Sequence, residues 1–149
     1  CTCGNHGCLE AMAGGKAIAA KARQAISQNR RTELADLHPV EGITAIEIAK
    51  AAARGDLVAQ EILAEAGNQL GIAITSLVNL FNPNIVVVGG GVAQIGDLFL
   101  EPVRKAVLKR SLPAAAQAVR ITTALLGKRS SCMGAVVQAL STSLHSIAT

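Results

Sequence analysis

The spacing of apolar residues divides the chain into helical and extended segments. Leu63, Ala66, Leu70, Ile74, Leu77 and Phe81 follow one another at steps of three and four. That periodicity puts them on one face of a long helix predicted over residues 57–81. Asn82-Pro83 ends it, because the residue before a proline avoids helical backbone. Asp56 is placed to cap its start, and Gly55 to stop the helix before it. That earlier helix opens at Thr44, has Glu47 three positions on as its capping-box partner, and runs to Arg54. Upstream, residues 9–27 are Ala-rich, free of Pro and helical in pattern, with an interruption at Gly14-Gly15. The polar stretch from Asn29 to Gly42, which holds His38-Pro39, reads as a loop.

Ile85-Val86-Val87-Val88 is an unbroken β-branched run ended by Gly89-Gly90-Gly91. A strand apolar on both faces is expected to be buried on both faces, in the middle of a layered α/β sheet. Gly96-Asp97 leads into a helix over 98–108, and Pro102 is assigned to its first turn. Residues 119–124 read as a second strand. A last helix starts at Ser130 or Ser131 and carries Ala135, Val136 and Leu140 on its apolar side. Two strands are too few for the sheet of a doubly wound domain, so the remaining strands are expected upstream of Cys1. The chain opens on Cys1 rather than Met, and we read it as a piece of a longer protein.

Composition narrows the function classes. Of the 149 residues 50% are apolar and only 16% charged, which excludes a disordered tail. Two Phe and no Trp or Tyr argue against a reader of single-stranded nucleic acid, which stacks bases on aromatic rings. The net charge of +4 suits a weak anionic ligand, and basic doublets such as Arg30-Arg31 and Lys109-Arg110 do not imply a DNA-binding face. The most apolar stretch, Leu70 to Phe81, is too short to span a bilayer. Cysteines crowded near one end do not resemble a secreted disulfide framework, so a cytoplasmic setting without membrane contact is expected.

The strongest chemical signal is Cys1-Thr2-Cys3-Gly4-Asn5-His6-Gly7-Cys8-Leu9-Glu10. Gly4 and Gly7 give the loop the freedom to bring three thiols to one point. Zn²⁺ favours such a site, since it takes thiolates tetrahedrally without a redox penalty. Three sulfurs are one ligand short of a closed site. His6 is the nearby candidate, although it sits inside the loop, and a redox pair is the other reading. Cys132 is expected to be a small buried apolar residue. The glycines after the first strand would let a backbone approach a nucleotide, or would make an ordinary tight turn. Asp56, Asp97 and Glu101 stand at helix starts, where capping accounts for them, and no catalytic residue is assigned. His38 and His145 are expected in solvent, and Lys128-Arg129 as an exposed basic spot.

Cys-x-Cys-Gly-x-x-Gly-Cys-x-Glu resembles the signature of the ROK family, which groups sugar-responsive bacterial repressors with sugar kinases. Leu80-Phe81-Asn82-Pro83, Ile85 to Val92, Gly96-Asp97-Leu98 and Glu101-Pro102-Val103-Arg104 resemble its second stretch. Leu126-Gly127 with Gly134-Ala135 resembles its end. The resemblance implies a helix-rich α/β fragment: the C-terminal half of an actin-like, ribonuclease-H-like fold of ATPase type. Within it, residues 1–10 would be a zinc loop and 84–149 an α/β portion. It implies Cys1, Cys3 and Cys8 as ligands of a structural Zn²⁺, with a fourth ligand upstream. Glu10 would be the sugar-contacting carboxylate. In the family's kinases Gly89, Gly90 and Gly91 would contact the nucleotide, with ATP and Mg²⁺ as cofactors.

Those kinases carry Asp-Ala-Gly after the final Leu-Gly, whereas Lys128-Arg129-Ser130-Ser131-Cys132 stands here. The expectation is therefore the effector-binding part of a repressor, not an enzyme by itself. It would take a sugar or sugar phosphate, reach DNA through a domain outside this chain, and form a homo-oligomer. The alternative is the C-terminal half of an ATP-dependent sugar kinase.

Overall fold

The computed structural model describes residues 1–148. In chain order the regular elements are α1 (Leu9–Ala13), α2 (Gly15–Ser27), α3 (Ala45–Ala53), α4 (Leu57–Phe81), β1 (Ile85–Val88), α5 (Asp97–Arg110), α6 (Pro113–Ala118), β2 (Arg120–Thr123) and α7 (Ser130–Ala148). The result is a helix-rich α/β body. β1 and β2 pair in parallel, with Val86 opposite Ile121. Parallel strands need a crossover, and α5 with α6 supplies it. Among the described residues no helix is long and apolar enough to cross a membrane.

The core lies where α2, α3 and α5 converge on α4. Ile18, Leu34, Ile48, Leu63, Val78, Phe99, Val103 and Val107 are its largest fully buried side chains. The helix signals act as expected: Thr44 and Glu47 form a reciprocal capping box, and Gly55 takes φ +97° just past Arg54, the C-cap of α3. Asn82 closes α4 in the left-handed region, at φ 45°.

Asp56 does more than cap. Its carboxylate accepts from Ala59 N–H at 2.9 Å, from the Thr32 hydroxyl at 2.7 Å and from Glu33 N–H at 2.7 Å. One buried side chain therefore ties the first turn of α4 to the loop before α3. Burial pushes its pKa up, but these hydrogen bonds to the charged form outweigh burial and leave it below the ordinary Asp value. A depressed carboxyl stabilises the fold fully above its unfolded pKa of about 3.9, and that contribution is lost as pH falls through the folded value. Asp56→Asn is expected to cost about 2 kcal/mol at neutral pH. It should also flatten the acid limb of a thermal-melting series, and an acid limb unchanged from wild type would rule the carboxylate out as the acid-sensitive tie.

Four expectations need correcting. Ile85 and Val87 are 44% and 56% exposed, while Val86 and Val88 pack on the core, so β1 is covered on one face only. The core lies on that side of the two-stranded sheet, and the face bearing Ile85 and Val87 is left about half exposed. Pro102 is the sixth residue of α5 rather than a first-turn residue, because the helix begins at Asp97. There its ring fits against Gly67 of α4, where no side chain competes for the space. Leu77 and Phe81 continue the α4 periodicity but stand exposed, while Val78 in the same turn is fully buried, so the last turns of α4 turn a different face to the core. Cys132, Val136 and Leu140 are exposed as well, because α7 extends from the 3-10 turn at Gly127–Arg129 without packing on the core.

Candidate functional site

Two short segments more than seventy residues apart build the site. The first is the cysteine loop. Cys3 Sγ lies 3.4 Å from Cys1 Sγ and 3.4 Å from Cys8 Sγ, and the three sulfurs all lie within 4.8 Å of one another. A tetrahedral ion with bonds of about 2.3 Å sets its sulfurs about 3.8 Å apart, so the spacing fits Zn²⁺. His6 is exposed and is not part of this group. The Asn5 backbone, then the neighbouring Cys8 thiol, hold Cys3 below the ordinary thiol value, while the Cys3 contact and then burial push Cys8 up. The trio thus offers three sulfurs at one point. What it can do chemically is take a soft divalent cation and leave one position for another ligand.

Cys8 is also the N-cap of α1, so the loop fixes where the helix starts and where Glu10 stands in its first turn. Gly14 follows one turn later. A Cβ there would overlap the Glu10 carboxylate and come within 2.5 Å of the Glu10 carbonyl oxygen. Gly14 therefore leaves the carboxylate the room it occupies.

The second segment is the turn after β1. Gly90 takes φ +88°, a conformation L side chains rarely adopt, and Gly91 opens a 3-10 turn at Val92–Ile95 instead of the helix itself. Its neighbour across the sheet is Ala124, 3.8 Å from where a Cβ of Gly89 would stand.

The fold brings both segments to one cleft of about 1210 Å³. Glu10 and Gly14 line it, and so do Gly89, Gly90 and Gly91. A volume of that size accommodates an ordinary small-molecule ligand. Lys16 and Arg23 also reach the cleft from α2, and Glu41 and Thr44 from the segment before α3. Sequence reading missed these four. Lys16 and Arg23 are seven positions apart and so share one face of α2, but a polar residue on an Ala-rich helix is no signal until its neighbour across the cleft is known. Asp97 and Glu101, read from sequence as helix-start residues, both pair with Arg104, and Arg104 also donates from Nε to the Ile121 carbonyl at 3.3 Å. They serve the α5–β2 junction and not the cleft. His38 is exposed, as expected.

Comparison with known proteins places this geometry. A model of the ROK family matches residues 1–142. A xylose repressor of Caldicellulosiruptor bescii is 31% identical over 141 residues, covering 95% of this chain and 35% of that protein. Among solved structures, a ROK family transcriptional regulator described as a homologue of the E. coli MLC protein superposes with TM-score 0.75 at 32% identity, covering 83% of this chain and 30% of that one. A ROK family glucokinase from Streptomyces griseus, in complex with glucose and AMPPNP, gives TM-score 0.72 at 32% identity, covering 87% of this chain and 43% of that one. The chain thus spans about a third of the length of the curated relatives it matches.

Proposed function

Because the chain belongs to the ROK family, we propose that it forms the effector-binding C-terminal part of a sugar-responsive transcriptional repressor, built on the actin-like, ribonuclease-H-like plan. The observation that carries this reading is the shared cleft, which Glu10 and the Gly89–Gly91 turn both line. A carboxylate accepts from two adjacent hydroxyls at once, and bonds to a charged acceptor are the stronger kind, which suits a sugar. Cys1, Cys3 and Cys8 would hold a structural Zn²⁺, and such an ion, when bound, supplies a fixed point from which α1 starts. The residues themselves do the recognition: Cys8 sets the first turn, Gly14 clears space, and Glu10 accepts.

A repressor also needs a DNA-binding region, and here that would lie in the part of the relatives this chain does not span. Sugar bound in the cleft would favour one placement of the two parts of the protein, and DNA affinity would shift by no more than the sugar's differential affinity for the two states. The xylose repressor relative and the departure of residues 128–132 from the kinase pattern support this reading. A cytoplasmic setting, which keeps thiols reduced, belongs to it.

The kinase reading is favoured by the likeness to a glucokinase that holds glucose and AMPPNP. On that reading Gly89, Gly90 and Gly91 would approach ATP, with Mg²⁺ on its phosphates. The two are separated by assay of the full-length protein, since hexose phosphorylation well above background supports the kinase. For the sugar site, calorimetry of full-length protein with xylose and glucose is expected to show Glu10→Gln weakening the better ligand about tenfold or more. Equal affinity in the variant would remove Glu10 from the site.

A further inference from the structure

Charge is divided unevenly along this chain. From Pro102 onward there is no Asp or Glu, while Arg104, Lys105, Lys109, Arg110, Arg120, Lys128 and Arg129 all fall in that stretch. The fold gathers part of this excess at one place. A groove of about 360 Å³ between α5 and the start of β2 is lined by Lys105, Leu108, Val119 and Arg120. Lys109 stands one turn beyond Lys105, so Lys105, Leu108 and Lys109 form a stripe on one face of α5. Arg104 and Glu101 also line the groove; they pair with each other, and Asp97 holds the same guanidinium, so this part of the wall adds no positive charge. Lys105, Lys109 and Arg120 have no ion-pair partner among the described residues. Leu108 projects between them, 66% exposed.

We propose that this groove docks an acidic protein segment carrying one apolar anchor residue. The anchor would lie against Leu108 and Val119, and flanking carboxylates would meet Lys105, Lys109 and Arg120. The charge fixes the sign of the partner, and the leucine decides its class. A DNA backbone is met by cations and hydrogen-bond donors, and it gains nothing from an exposed leucine amid them. An amphipathic protein segment uses both, an apolar centre and a charged rim. The inference is independent of the sugar reading, since none of these residues lines the cleft.

The test is fluorescence anisotropy of the 149-residue chain with three probes. These are a short synthetic helical peptide bearing Glu and Leu at helical spacing, its counterpart with Gln for every Glu, and a short DNA duplex. The Glu peptide is expected to bind, more weakly as salt rises, and the other two at least about tenfold more weakly. Lys105→Glu with Arg120→Glu should abolish binding. Leu108→Ser should weaken it several-fold with the charge untouched. Arg31→Glu with Lys50→Glu, an equal charge change away from the groove, should leave it intact. Failure of the Glu peptide to bind would overturn the proposal. So would duplex binding of equal strength, indifference to Leu108→Ser, or an equal loss in the remote pair.

Discussion

A Cys8→Ser chain is expected to leave a desalting column with background zinc only, where the wild-type chain retains about one ion. The sulfurs of Cys1, Cys3 and Cys8 converge to within 4.8 Å of one another, close enough for one tetrahedral ion, and Cys3 contacts both of the others. Apparent binding free energies of structural zinc sites run to about 10–16 kcal/mol over their full ligand sets, so losing one thiolate should cost on the order of a hundredfold or more in affinity. Cys132→Ser is the control. That residue is exposed on α7 and is no part of the sulfur group, so its variant should keep the full complement. Metal analysis by mass spectrometry reads both. Equal zinc in the two variants would sink the metal site. Because Cys8 is also the N-cap of α1, the metal-free variant should lose order at Glu10 first.

Gly71→Val is expected to be the most damaging single change in the helical core. A Cβ at Gly71 would stand 2.5 Å from the Ala106 Cβ and 2.9 Å from the Val103 carbonyl oxygen. One turn earlier, a Cβ at Gly67 would stand 2.6 Å from the Phe99 carbonyl oxygen. These obstacles are backbone atoms and a β-carbon, none of which can swing aside, so α4 and α5 would have to separate. Overpacking of this kind costs about 1–3 kcal/mol and occasionally more, and a β-branched residue belongs at the upper end. Replacing a helical glycine normally gains up to about 1 kcal/mol, which makes the sign informative. Gly134, in α7, has nothing within 4 Å of its Cβ position. Gly134→Ala should therefore leave stability unchanged or raise it, while Gly71→Val lowers the denaturation midpoint sharply. Similar midpoints for the two would show that α4 and α5 do not depend on this close approach.

These two glycines also show what the sequence conceals. The long helix, its Asp56 cap, the Thr44–Glu47 box and the β-branched strand were legible because each signal is local: a period, a spacing of three, a run of Val. Gly67 and Gly71 look like blemishes in an otherwise good helix, and their purpose emerges only when α5 is laid across them. The same holds at the cleft. Glu10 and the glycine turn were each singled out in sequence, but that they share one cavity depends on how α1 and β1 are placed. The exposure of Ile85 and Val87 was invisible for the opposite reason. Composition reports that a strand can be buried on both faces, and says nothing of whether a layer is present to bury it. The second, shorter helix of the crossover, α6, was missed because a Pro-Ala-Ala-Ala-Gln-Ala segment has neither an apolar stripe nor a capping side chain.

The triple use of Asp56 has a consequence for how the molecule comes apart. Ala59 and Glu33 lie on different elements, yet both donate their amides to the same carboxylate. Neither segment can open without stranding the other's acceptor partner, so the loop and the leading turn of the long helix should breathe as one cooperative unit.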